Sequence, residues 1–221
     1  MVLQLAGGAE RRAAIVVGFL GGMVRHDDAV HAEVQLANRL QQDYSPAVQV
    51  RMFENRRGQQ ALSEVRRLLD TDHDGALSAD ERCDARIAIF GHSWGGSETV
   101  TLARSLGKAG IPVLLTVQVD SVTKLGQDDE SIPSNVARAI NFYQRHGLLR
   151  GRARIRATDT SRTQILGNLQ YDYKNSPVNL EGFPWYARLF MRPHIEIESD
   201  PRVWGQVEAL IRSTLGPVHG R

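Results

Sequence analysis

Hydrophobic runs bounded by glycine or proline alternate along this chain with segments whose apolar positions recur every three or four residues. Runs of the first kind suit strands buried on both faces, and segments of the second kind suit helices lying on such a sheet. The alternation predicts a mostly parallel sheet of about five to six strands with helices on both faces. Ile15, Val16 and Val17 mark a first strand over 13–19, and Val30, Val34, Ala37 and Leu40 a helix over 28–41. Strand and helix follow at 48–53 and 59–69, then a strand at 86–90 leading at once through Gly91 into a helix to about residue 106. Gly107, Gly110 and Pro112 break the chain before Val113–Val119, whose apolar character predicts a central strand. Pro133 is expected to open a helix with Val136, Ile140 and Tyr143 on one face, and 152–157 to form a fifth strand. Asp200 and Pro201 begin a last helix, carrying Val203, Val207, Leu210 and Ile211 inward and stopping at Gly216 and Pro217. Between them, residues 158–193 show no clean period but hold Tyr171, Tyr173, Phe183, Trp185, Tyr186 and Phe190, which predicts an irregular apolar cap.

Composition narrows the class. With 221 residues, 42% of them hydrophobic, the chain can bury a substantial core, and residues 1–221 read as one α/β domain. Its 27 basic residues are matched by 25 acidic ones, and Arg150, Arg152, Arg154 and Arg156 alternate like the solvated face of a strand, so no nucleic-acid partner is expected. The single Cys83 cannot form an internal bridge and reads as a small structural residue. The longest apolar run, 13–24, is interrupted by Gly18, Gly21 and Gly22 and is too short for a membrane span. Glu10, Arg11 and Arg12 do not read as a secretory signal, but a signal already removed would leave no trace, so the compartment stays open. No protein partner is inferred.

Gly91-His92-Ser93-Trp94-Gly95-Gly96 carries the most chemistry, because it lies between a predicted strand and a predicted helix. A sharp turn there exposes the Ser93 hydroxyl, the flanking glycines remove colliding side chains, and the helix dipole favours negative charge developing beside the serine. With this strand–turn–helix context the chain resembles the α/β-hydrolase family, and a compact form without the usual leading hairpin is expected. The resemblance implies Ser93 as nucleophile and an oxyanion hole formed by the Trp94 amide and an amide of the loop Gly18-Phe19-Leu20-Gly21-Gly22, with Leu20 favoured and Phe19 next.

A serine hydroxyl needs a base. The family order of serine, acid, histidine disfavours His26 and His31; His92 adjoins the nucleophile, His73 lies in an acidic loop, His146 at a helix end and His219 in the tail. His194 remains, expected in a loop before the last helix. Two aspartates end predicted strands, Asp120 and Asp159. Val119-Asp120-Ser121-Val122 resembles a bacterial lipase and esterase group with its acid in an Asp-x-Val turn, which favours Asp120, with Asp159 the alternative.

Residues 70–81 fit the twelve-residue EF-hand loop. Asp70, Asp72 and Asp74 stand at positions 1, 3 and 5, Gly75 at the bend, the Ala76 carbonyl at 7, Ser78 at 9 and Glu81 at 12. Hard oxygen donors at this spacing predict Ca²⁺. The competing reading is an acidic turn in which Ser78 and Glu81 form a capping box. The loop stands alone, so a structural clip is expected rather than a sensor. His26, Asp27, Asp28 and His31 match no standard ligand spacing and read as a helix cap.

The function expected is hydrolysis of small-molecule carboxylic esters through an acyl-enzyme, with Phe19, Trp185 and Tyr186 in an apolar acyl pocket. The rivals are a thioesterase or a lipase for longer chains and, in another class, a calcium-dependent binding module on a vestigial hydrolase fold.

Overall fold

The fold is taken from a computed structural model that describes residues 14–44 and 46–216; Glu10, Arg11, Arg12, Pro217 and His219 lie outside them. Strand β1 (Ala14–Leu20), helix α1 (Ala32–Tyr44), β2 (Val48–Glu54), α2 (Gly58–Leu69) and the short α3 (Ala79–Cys83) come first. They are followed by β3 (Ile87–His92), α4 (Trp94–Lys108), β4 (Val113–Val119), β5 (Ser131–Ile132), β6 (Val136–Tyr143), β7 (Arg156–Ala157) and β8 (Gln164–Gln170). Helices α5 (Trp185–Phe190), α6 (Arg192–Ser199) and α7 (Pro201–Leu215) close the described chain.

Six strands form one sheet in the order β2-β1-β3-β4-β6-β8, with every pairing parallel. Alternation along each strand sends side chains to two cores. Ala14 and Val16 of β1 and Phe90 of β3 meet Leu36 and Leu40 of α1 and Val203, Trp204 and Val207 of α7. Ile15, Val17 and Phe19 of β1 meet Val65 of α2 and Val100, Leu102 and Leu106 of α4 on the other face. Both faces are therefore covered, and β3 and β4 lie at the centre as the hydrophobicity of their sequences requires.

Five expectations of the fold need correction. The segment after Pro133 is the strand β6, not a helix: Val136, Ala139, Ile140 and Phe142 are buried between β4 and β8. Of the strand expected over 152–157 only Arg156–Ala157 pairs, with β5 in a separate two-stranded sheet. The sixth strand of the main sheet, β8, and helix α5 fall within 158–193, expected to be irregular. The first helix begins at Ala32 rather than near Asp28, and Cys83 is exposed at the end of α3.

Candidate active site and acidic loop

Ser93 joins β3 to α4 with φ 57° and ψ −125°, a conformation that a residue with a side chain rarely adopts. Neighbouring strands hold it there. Its N–H donates to the Val119 carbonyl (3.0 Å), and its own carbonyl accepts from the Val122 N–H (3.0 Å). A Cβ on Gly95 would stand 2.2 Å from the Phe19 carbonyl oxygen, so only glycine lets the start of α4 close on the end of β1. Trp94 is the first residue of α4, where an amide has no partner in the helix ladder.

Asp120 follows β4 at φ 43° and is wholly buried. Its Oδ1 accepts from the Gln144 and Gly151 amides, each at 3.0 Å, and its Oδ2 from Gln144 Nε2 at 2.8 Å. Oδ2 also stands 2.6 Å from His194 Nδ1. An ionised carboxylate only accepts, so Nδ1 carries the hydrogen and Nε2 keeps the basic lone pair. His194 lies in α6 rather than in a loop. Asp159 instead caps an exposed turn through Ser161, whose N–H and hydroxyl hold its carboxyl below the usual range.

Ser93, Trp94 and His194 line one cavity of about 490 Å³ together with Gly21, Gly22, Met23, Phe183 and Tyr186. Of the expected pocket residues Tyr186 is there, whereas Phe19 is wholly buried in the core beside Phe53 and Trp185 faces outward from α5. Leu20 is also wholly buried and outside the cavity wall. Asn55, buried and missed by the sequence reading, donates through Nδ2 to the carbonyls of Leu20 (3.1 Å) and Gly22 (2.6 Å). In a trans peptide the next N–H points opposite its carbonyl, so Asn55 turns the Gly21 and Met23 amides to the other side. Gly21 approaches Ser93 so closely that a Cβ on it would lie 2.8 Å from Ser93 Cβ.

One wall of the cavity is polar. His31, His92 and Glu198 line it, with Glu33 of α1 buried next to them. Burial, reinforced by the nearby Glu198 charge, raises the Glu33 carboxyl well above the usual range. Burial likewise lowers His92 to about 4. Burial alone would raise Glu198, but His92 and the hydrogen bond to His31 outweigh it and hold that carboxyl low.

The loop between α2 and α3 brings carboxylate oxygens of Asp70, Asp72 and Asp74 within 4.8 Å of one another. Gly75 takes φ 85°, and its N–H donates to Asp70 Oδ2 at 3.0 Å. Asp70 Oδ1 is buried without a hydrogen-bond partner, which fits a cation ligand. Glu81 is turned elsewhere: the backbone and hydroxyl donors of Ser78 and Thr71 hold its carboxylate, with Ser78 capping α3, and lower it to about 2. The capping box and the three-aspartate cluster thus coexist, with Ala76 bound through its N–H to Asp74 Oδ1 at 2.7 Å.

No protein-family model matches the chain, and no curated protein matches it in sequence. Among solved structures, an arylesterase superposes with a TM-score of 0.53 at 13% identity, covering 93% of this chain and 77% of the other. Human thioesterase 2 matches at 0.47 and 9% identity over 92% and 96% of the two chains. A thermostable esterase from Pseudomonas putida ECU1011 matches at 0.47 and 12% over 92% and 74%. The fold is that of the α/β hydrolases. Among the described residues no helix is long and apolar enough to cross a membrane.

Proposed function

We propose that this chain hydrolyses carboxylic esters by nucleophilic catalysis at Ser93. The observation that carries the reading is the strained Ser93 turn opening into the same cavity as a histidine whose Nδ1 is held by a buried aspartate. His194 Nε2 takes the Ser93 hydroxyl proton as Oγ attacks the acyl carbonyl, and Asp120 orients the ring and stabilises the imidazolium. The tetrahedral oxyanion is met by the Trp94 N–H and by the Gly21 N–H, which the Asn55 geometry favours over Leu20. His194 then gives its proton to the departing alcohol. Water, deprotonated by the same nitrogen, releases the acid from the acyl-enzyme.

Apolar Met23, Phe183 and Tyr186 in the cavity wall suit the acyl chain, and the exposure of Met23 and Tyr186 favours chains longer than acetyl. Asp70, Asp72 and Asp74, with the Ala76 carbonyl, Ser78 and Glu81, would hold Ca²⁺ as a structural ion remote from the chemistry. Binding there would require Glu81 to exchange some of its present hydrogen bonds for the ion. The test is hydrolysis of p-nitrophenyl esters of graded chain length, with fluorophosphonate labelling and mapping of the labelled residue. Ser93→Ala is expected to lower kcat by at least about 10⁴-fold with folding intact. A label on any other residue, or an active Ser93→Ala protein, overturns the mechanism.

A further inference from the structure

At the polar wall of the cavity, buried polar atoms lack hydrogen-bond partners. Both Glu33 carboxylate oxygens and His92 Nε2 are buried and make no hydrogen bond, and Glu33 is wholly inaccessible. Glu198 already pairs with His31 through Nδ1, whereas the buried Glu33 carboxyl beside it is left with no partner of its own. His31, Glu33 and Glu198 each offer a ligand atom within 4.8 Å of the others. His92 Nδ1 stands 3.6 Å from Glu33 Oε1 and 3.5 Å from Glu198 Oε2. A tetrahedral zinc with bonds of about 2.1 Å separates its ligands by about 3.4 Å, which matches the two His92 spacings; the direct His31 Nδ1–Glu198 Oε1 hydrogen bond is shorter and would open to admit the ion.

We propose that His31, Glu33 and Glu198, with His92 Nδ1 as a fourth donor, form a binding site for a Zn²⁺-type divalent cation in the wall of the Ser93 cavity. Imidazole nitrogens mixed with carboxylates select first-row transition metals and zinc over Ca²⁺ or Mg²⁺, which prefer all-oxygen shells. His31 and Glu198 themselves line the cavity, so the ion enters from it and can take a ligand from it. Asp28 Oδ2 lies 3.9 Å from His31 Nε2, at the outer edge of that ring. The site does not depend on the hydrolase reading.

The test titrates Zn²⁺ into metal-stripped full-length protein, in excess Ca²⁺ to fill the Asp70 loop, against a competing chromogenic chelator, followed by zinc K-edge absorption. One zinc per chain is expected, with nitrogen and oxygen ligands and no sulfur. Glu33→Gln and His31→Asn should each weaken uptake by at least about 100-fold, beyond what loss of an outer partner produces. Cys83→Ser should leave uptake unchanged. Melting of the metal-free variants establishes that they fold, and His31→Asn, at the cavity edge, decides the matter if Glu33→Gln does not. Absence of zinc uptake at micromolar concentrations, a sulfur ligand, or uptake that survives His31→Asn overturns the proposal.

Discussion

Ser93 and Asp120 both hold positive φ at the ends of the two central strands. Each such conformation costs about 1–3 kcal/mol, so the surrounding bonds must over-determine it. For Ser93 they run to Val119 and Val122; for Asp120 the backbone N–H donates to Phe142 at 2.7 Å, while Gln144 and Gly151 hold the carboxylate. Ser93 was legible because glycines in its own vicinity announce the turn. Asp120 and Asp159 were separable only in part, because the donors that distinguish them lie far along the chain, at Gln144, Gly151 and His194. The Gly21 amide proposed for the oxyanion is hidden in the sequence for the same reason: the glycines are local, but Asn55, which holds the Leu20 and Gly22 carbonyls, comes from just after β2. Asp120→Asn is expected to lower kcat by roughly 10³- to 10⁴-fold with little change in KM, since it removes the acceptor that fixes the imidazole tautomer. Asp159→Asn should leave kcat nearly unchanged. Ester-hydrolysis kinetics on both variants check this, and the reverse ranking would move the acid role to Asp159.

The strands β1 to β4 and the helices packed on them follow their sequence patterns more closely than β6 and β8 on the far side of the sheet. α2 follows its period closely, with Ala61, Val65 and Leu69 buried. β6 misled because Val136, Ile140 and Tyr143 fall at helical spacing while the segment is rich in residues that also suit a strand buried on both faces. β8 is a half-exposed edge strand containing Gly167, and neither alternation nor β-propensity marks it. Pro193 suits a loop by composition, yet it sits in the first turn of α6, where proline is also at home, and this carries His194 onto a helix. At the opposite edge, β2 is tied to α2 by Arg51 Nε, 2.9 Å from Glu64 Oε1, while Arg67 grips the same carboxylate at 2.8 Å. The Arg67 hydrogen bonds, aided by Arg51 and opposed by burial, bring Glu64 down to about 2. A lowered carboxylate adds stability above its unfolded value of about 4.3 and loses it as pH falls towards about 2. Glu64→Gln should therefore melt below the parent protein at neutral pH, with the gap closing through that acid window. A gap independent of pH would mean that packing, not charge, holds the edge.

Across the whole molecule, the acidic loop spans a junction between the layer of α2 and the central strand β3. Leu69 before it and Ala85 after it are buried in the core shared with α4, and Leu77 within it packs against that core. Bringing Asp70, Asp72 and Asp74 within 4.8 Å concentrates negative charge at this junction, which a cation would relieve. A ligand that binds only the folded chain stabilises it by about 2.7 kcal/mol at one hundred times its Kd. For a domain of this size that corresponds to a rise in Tm of about 5–10 °C. None of these residues lines the Ser93 cavity, so the gain should appear in melting and not in kcat at temperatures where the calcium-free chain is folded. Titrating Ca²⁺ into metal-free protein, by calorimetry and ester hydrolysis in parallel, separates the two effects. Asp72→Asn removes one charge from the cluster and a prospective ligand, so it should melt near or slightly above the metal-free parent and lose most of the response to Ca²⁺. If Ca²⁺ leaves the parent Tm unmoved, the loop is held by the Ser78–Glu81 capping box alone; if kcat rises while Tm does not, the ion acts on the cavity and the structural role fails.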